Sequence, residues 1–349
     1  MYRRLPIRIS GLTLAAMAAL GLAACSSSSS SSSPAASGSS SPAGSASSSS
    51  SSASGSMSAQ LIVGNASDPF YVSMECGAQQ EAARLGVTLK VGGPPSFTVP
   101  GQKPLIDDVE VTKPNALLVA PTDASKLDSD LSRVQSGGTK LVFVDTASSD
   151  TSLGVSRISS DNMAGGKLAA DNLGQLLGGK GTVAVISMAK GTSTTDARVA
   201  GFQQEMAAKY PGIKLLPEQN DVDATTTQAT TFIESDITAH SGLSGVFTAN
   251  TVTAQGVAAG LQHTGQAGKV KMVTFDAEPA EITMLQSNVA QLVIAQEPAV
   301  EGADGIDQAV AALQGKPVTA SIPTPLIAIS SKNLSADQQY VYKASTSGC

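Results

Sequence analysis

The chain has 349 residues, with 22 Lys and Arg against 28 Asp and Glu, two His, three Cys and no Trp. An acidic, aromatic-poor chain with no basic block excludes a nucleic-acid partner, because phosphates demand clustered cations. So few histidines and cysteines leave little for a metal centre, and neither a metal nor a cofactor is expected.

The first stretch reads as an address. Arg3, Arg4 and Arg8 precede an apolar run from Ile9 to Ala24. That run has the length of a signal-peptide core and falls short of the roughly 20 residues a membrane span needs. Leu22-Ala23-Ala24-Cys25 resembles the bacterial lipobox, so 1–24 is expected to be a lipoprotein signal peptide and Cys25 the acylated residue. Positions 26–58 hold 22 serines in 33 residues. Such a segment has almost nothing to bury and cannot offset the entropy of ordering. Residues 25–58 are therefore expected to be a disordered tether, with an end-to-end distance of about 30 Å. The location that follows is extracytoplasmic, with the protein lipid-anchored to the bacterial cell membrane.

From Leu61 onward, short apolar runs alternate with amphipathic stretches. Strands are expected at 61–63, 116–119, 140–144, 182–186, 245–247, 270–273 and 291–294, and helices near 71–85, 124–136, 161–177, 194–209, 224–239, 252–263 and 299–314. The strands are continuously apolar, as required when both faces of a parallel sheet are covered. Regular strand–helix alternation then predicts an α/β fold with parallel sheets. Open α/β sheets bind ligands at the carboxyl ends of their strands. Reading the residues just after each strand gives short polar side chains throughout, among them Asn65 to Asp68, Asp145-Thr146, Asn250-Thr251, Asp276 and Gln296. That set is suited to hydrogen-bonding a small, hydroxyl-rich ligand.

These loops resemble the ribose/galactose-type sugar-binding proteins, the type I periplasmic solute receptors of ABC importers. The resemblance rests on Asp68-Pro69-Phe70-Tyr71, Pro121-Thr122-Asp123, Val144-Asp145 and Ser160-Asp161-Asn162-Met163-Ala164-Gly165-Gly166. Gly191-Thr192-Ser193, Arg198, Gly201-Phe202-Gln203-Gln204, Phe247 to Asn250, Phe275-Asp276 and Ala295-Gln296 complete it. It implies two similar doubly wound lobes joined by a three-crossover hinge, with crossovers near Ser159, Gln296 and Pro325. The N-lobe would be 59–159 plus 297–325, and the C-lobe with its tail 160–296 plus 326–349.

The resemblance also implies roles. Asp68, Asp145 and Asp276 would accept from ligand hydroxyls, and Arg198 would donate a planar fork that Lys cannot imitate. Asn250 and Gln296 each supply a donor and an acceptor, and Phe70 or Tyr71 would stack on a ring. Taken alone, each aspartate also fits a helix N-cap, since each lies between strand and helix. Two positions depart from the family pattern: Thr146 stands where an Arg often follows the fourth-strand aspartate, and Val222 matches the aromatic of the opposite lobe. One aromatic wall favours a furanose, a polyol or a modified small sugar. The expected protein is a monomeric substrate-binding lipoprotein that delivers a sugar-like solute to an ABC permease and its ATPase. The alternative is a sensor lipoprotein that binds a signal molecule such as a furanone autoinducer, which Gly92-Gly93-Pro94-Pro95 slightly resembles.

Other signals carry less. Gly174 to Lys180 has the spacing of a phosphate loop, but Gly181 follows where Ser or Thr is needed and the segment precedes a strand. There, a helix C-cap and turn are expected. His240 and His263 sit at expected helix C-termini, where the dipole suits them. No Ser/His/Asp set or nucleophile elbow is present, so the chain is not expected to be an enzyme. With Cys25 acylated, Cys76 and Cys349 are the remaining thiols, and an exported chain is expected to pair them as a disulfide.

Overall fold

The computed structural model describes residues 57–347 and Cys349. The expected signal peptide, Cys25 and all but the last two residues of the tether lie outside the described residues. The elements in order are β1 (Ser58–Ile62), α1 (Pro69–Leu85), β2 (Thr88–Gly92), α2 (Val99–Thr112), β3 (Ala116–Val119), α3 (Asp128–Ser136), β4 (Lys140–Val144) and β5 (Ser156–Ser160). There follow α4 (Asn162–Leu176), β6 (Gly181–Met188), α5 (Ser193–Lys209), β7 (Ile213–Leu215), β8 (Gln219–Asp221), α6 (Thr226–Ala239), β9 (Leu243–Thr248) and α7 (Thr251–His263). The chain ends through β10 (Lys271–Phe275), α8 (Pro279–Gln286), β11 (Leu292–Ala295), α9 (Pro298–Leu313), β12 (Ser321–Thr324) and β13 (Ile327–Ile329).

Two sheets form. The first has the order β12-β5-β4-β3-β1-β2 and is parallel throughout; the second has the order β13-β11-β10-β9-β6-β7, with β8 also on β6. The chain passes between the sheets after β5, after β11 and after β12. One expectation needs correction, because β13 runs antiparallel to β11, pairing Val293 with Ile329. After the turn at Pro325-Leu326 the chain reaches that edge pointing backwards, so the second sheet is mixed.

The continuous apolar strands have the predicted cause. In the first sheet Leu61, Leu118, Val142 and Val144 face α1 and α9, while Ile62, Leu117, Val119 and Phe143 face α2 and α3. In the second, Val183, Val185 and Phe275 face α4 and α5, while Ile186, Val246 and Met272 face α6 and α7. Each lobe is thus a sheet covered by helices on both faces, which forces both side-chain sets of every central strand to be apolar.

Helix pairs approach closely where glycines allow it. A Cβ on Gly166 would lie 1.9 Å from Arg198 O, and one on Gly201 would lie 2.2 Å from Met163 O. Backbone contact between α4 and α5 therefore requires both glycines, and it brings Arg198 beside the start of α4. The phosphate-loop-like segment is the end of α4 and a turn, with Gly178 and Gly179 at φ 62° and 73°. Among the described residues, no helix is long and apolar enough to cross a membrane, and no group of three or more His, Cys, Asp or Glu is arranged to hold a metal ion.

Candidate functional site

Between the lobes lies a cavity of about 200 Å³, smaller than the roughly 300–1,000 Å³ of pockets that take drug-sized ligands. Asp68, Phe70, Tyr71, Asp145, Arg198, Asn250, Asp276 and Gln296 all line it. They come from six separate segments of chain: five follow a strand or start a helix on the same rim, and Arg198 reaches in from the second turn of α5. The lobes touch beside it: Ala124 N donates to Gly191 O at 2.9 Å, and Ala147 N donates to Ser193 Oγ at 3.2 Å.

The first lobe supplies a hydrogen-bonded aromatic corner. Asp68 is the N-cap of α1, its Oδ1 accepting from Phe70 N at 2.9 Å. Pro69 then starts the helix, and Phe70 and Tyr71 fall on its first turn, edge to face with centroids 5.1 Å apart. Tyr71 Oη donates to Asp145 Oδ2 at 2.7 Å. Asp145 follows β4 in the left-handed region, at φ 61°. Asp276 does the same after β10, at φ 78°. Asp and Asn tolerate this backbone better than other side-chain-bearing residues, and such strain collects at functional sites. Neither residue caps a helix, so the capping reading holds for Asp68 alone among the three.

Arg198 anchors the second lobe. It is 3% exposed. Its Nε donates to Asn162 Oδ1 at 2.7 Å and one terminal nitrogen to Ala249 O at 2.9 Å. Its guanidinium lies over the Phe275 ring, 4.2 Å from the centroid, and 4.0 Å from Asp276 Oδ2. Asn250 caps α7, accepting from Thr253 N and Oγ1 at 3.3 and 2.7 Å. Gln296, on the crossover after β11, donates through Nε2 to Asp276 Oδ1 at 2.7 Å. Its own Oε1 is buried with no partner among the described residues.

One expected contact, Thr146, and the position of the family's missing aromatic, Val222, are not part of this arrangement. Thr146 is buried, and its hydroxyl donates to Pro121 O at 2.8 Å, tying two loops of the first lobe together instead of lining the cavity. Val222 is 66% exposed, and its neighbours Asp223 and Ala224 line the cavity in its place. The sequence reading also missed Phe97, a third aromatic on the wall, carried by the loop between β2 and α2. A Cβ on Gly64 would lie 2.4 Å from the Phe97 ring and 2.5 Å from Tyr71 Oη, so Gly64 makes room for both rings. That glycine, directly after the first strand's apolar run, was the one available signal.

The site is rich in carboxyls and holds one cation. Burial, opposed by Tyr71 and Arg198, pushes Asp145 up to about 7. Burial and the charge of Asp276 push Asp68 up to about 6. Behind them, burial and the charges of Asp68, Glu281 and Asp276 push Glu278 to about 10. Glu278 comes within hydrogen-bonding reach of Asp68 across the cleft. Near neutral pH Glu278 therefore keeps its proton and Asp145 is about half protonated, which supplies neutral donors and weakens the anionic field of the site.

Residues 59–317 match the periplasmic binding protein domain family. The chain belongs to that family. This periplasmic binding protein is 31% identical over 267 residues to the ribose import binding protein of Salmonella typhimurium, a stretch covering 76% of this chain and 88% of the relative. A solute-binding protein of an ABC transporter from Agrobacterium vitis, bound with alpha-D-tagatopyranose, matches at a TM-score of 0.80 and 35% identity, over 82% of this chain and 99% of that one. A carbohydrate transporter solute-binding protein from Agrobacterium radiobacter, in complex with D-arabinose, matches at 0.75 and 25%, over 81% and 97%.

Proposed function

We propose that this periplasmic binding protein is the receptor of an ABC importer and captures one small, uncharged, polyhydroxy solute of the monosaccharide class. The observation that carries this reading is the cavity itself, where Asp145 and Asp276 follow central strands of opposing sheets and Arg198 stands 4.0 Å from Asp276 Oδ2. Carboxyls accept from vicinal hydroxyls, and the part-protonated state of the set favours a neutral ligand over a charged one. Two aromatics, Phe70 and Phe97, offer apolar faces for a ring. The sugar-bound relatives support the same class. In this reading the lobes, 59–159 plus 297–325 and 160–296 plus 326–349, close on the solute by bending at the three crossovers. The closed form then docks on the permease, whose ATPase supplies the energy. An acyl group on Cys25 and the serine tether hold the monomer at the membrane surface.

A thermal-shift screen against pentoses, hexoses, polyols and furanones tests this. Solute at 100 times Kd should stabilise the protein by about 2.7 kcal/mol, a shift of several degrees. A strong hit among the sugars is expected. A hit confined to furanones would replace import by sensing, and no hit on folded protein would remove the sugar reading.

The C-terminal tail adds a covalent expectation. The Cα atoms of Cys76 and Cys349 are 5.1 Å apart, and the two sulfurs are joined. In the exported protein this bond would close a loop spanning 273 positions and contribute about 2–5 kcal/mol. Alkylation without reduction should leave both cysteines unmodified by mass, and dithiothreitol should lower the unfolding midpoint. Two alkylated thiols in native protein would end the idea.

A further inference from the structure

The last residues of the chain lie against α1. Lys343 N donates to Ser73 Oγ at 2.7 Å, Gln80 Nε2 donates to Cys349 O at 3.1 Å, and Cys349 meets Cys76. All three partners sit on α1, in the first lobe. In the other direction, Tyr342 N donates to Ala277 O at 2.9 Å, one residue past Asp276 in the second lobe. The tail is thus a strap with one side on each lobe.

The side chain of Tyr342 is the inward-pointing part of that strap. It is buried, and its ring packs edge-on to Phe70 with centroids 5.7 Å apart. Its hydroxyl accepts from Gln296 N at 2.9 Å and donates to Asp276 Oδ1 at 3.3 Å. One side chain therefore touches an aromatic of the first lobe, a carboxylate of the second and the crossover between them. A phenylalanine would fill the same apolar volume, so packing alone does not account for the hydroxyl. A buried hydroxyl is costly unless its partners are in place, and here both partners belong to residues of the solute site.

We infer that Tyr342 is a positioning residue for solute binding: its hydroxyl fixes Asp276 through Oδ1 and the Gln296 backbone through its amide, leaving Asp276 Oδ2 and Gln296 Oε1 to meet the solute. The inference rests on the reading of Asp276 and Gln296 as sugar contacts. Burial holds the phenol far above its ordinary value, so it remains a donor across the working range of pH. The strap's ties to α1 set the height of Tyr342 over the cavity, which makes the C-terminus part of the binding site although it does not line the cleft.

The test compares the full chain with Tyr342→Phe, using Tyr340→Phe as a control on the same strap, with D-ribose and D-tagatose as probes. Tyr342→Phe should weaken solute binding about tenfold, mostly through faster release, because a buried bond to a charged acceptor is lost. Tyr340→Phe should leave affinity unchanged. A lowered unfolding midpoint with affinity within twofold of wild type would make Tyr342 a structural residue and overturn the inference. Hydrogen exchange on the unliganded chain reads the same tie without sugar. The Gln296 amide should lose protection in Tyr342→Phe and keep it in Tyr340→Phe, and unchanged exchange would also overturn the inference. If wild type binds neither probe, the sugar reading fails for these probes while the exchange result still decides Tyr342.

Discussion

Asp276→Ala is expected to weaken solute binding at least about a hundredfold, a loss near 2.7 kcal/mol, because it deletes a buried acceptor held by Gln296 and Tyr342. Alanine at φ 78° also carries backbone strain of roughly 1 kcal/mol or more, so Asp276→Asn is the cleaner variant: Asn tolerates that region, keeps the shape, and removes the charge and one acceptor oxygen. Arg198→Ala is a different experiment. The arginine packs on Phe275 and bridges Asn162 to Ala249, so its removal leaves Asp276 without its cation and should cost about 3–5 kcal/mol of stability besides binding. Arg198→Lys keeps the charge, yet an ammonium cannot reproduce the planar fork that reaches both partners. It should stay folded and still lose most of its affinity. Calorimetric titration with a solute found by the screen measures each, and wild-type affinity in Asp276→Asn and Arg198→Lys together would remove the assigned pocket.

What the sequence made legible follows from burial on two faces. Lys140–Val144 and the first part of Lys271–Phe275 could be read because a strand covered on both faces is apolar at most of its buried positions, and the aspartate after each marks where the cover ends. Elements under weaker constraint were missed. Ser156–Ser160 is a strand of mostly polar residues near the sheet edge, and Ser321–Thr324 is an edge strand carrying Pro323. Val99–Thr112 contains Pro100, Pro104 and β-branched residues, which argue against a helix locally; buried Ile106 and Val109, packed under the sheet, override that preference. Pro100 falls in the first turn, where its missing N–H costs nothing.

The site divides in the same way. Asp145, Asp276 and Gln296 were found because position after a strand suffices to place them on the rim. Phe97 was missed because its loop of Gly, Pro and Ser has no periodicity from which a direction can be taken. Thr146 shows the limit of transfer by resemblance: a hydroxyl in place of a long cation cannot reach the cavity and instead bonds to the nearest carbonyl, that of Pro121. The strap across both lobes was visible only as a pair of cysteines. That pairing placed the tail over α1, but nothing in the spacing of Tyr342 signals a hydroxyl directed at Asp276.

Stability should fall as pH rises from about 5 to 8, the reverse of the trend expected where paired carboxylates dominate. Glu281 and Glu301 are fully buried, and burial pushes each from 4.5 up to about 8. Glu301 is faced by the charge of Asp145, which raises it further, and by Ser160, Thr324 and Arg198, which oppose the shift. Its Oε1 accepts from Ser160 Oγ and Thr324 Oγ1, both at 2.9 Å, so this one carboxyl ties the ends of β5 and β12 to α9 where all three crossovers meet. Glu281 is faced by Asp276 and Asp68, with Thr251 opposing, and neither of its oxygens has a hydrogen-bond partner among the described residues. Below 4.5 the folded and unfolded chains both carry these protons, and the contribution of each group is complete. Between 4.5 and about 8 only the folded chain holds them, so each group removes up to about 1.4 kcal/mol per pH unit until the folded value is passed. The carboxyls held low by cations, Asp123 and Asp130, act below pH 4 and leave this window alone. Denaturant midpoints should therefore be higher at pH 5.5 than at pH 8, and Glu281→Gln should flatten the slope whatever it does to the level. A flat or rising profile in the wild type would mean that these carboxyls are ionised in the folded protein, and the hinge would then have to hold a charge offset only by the hydroxyls of Ser160 and Thr324 and the charge of Arg198.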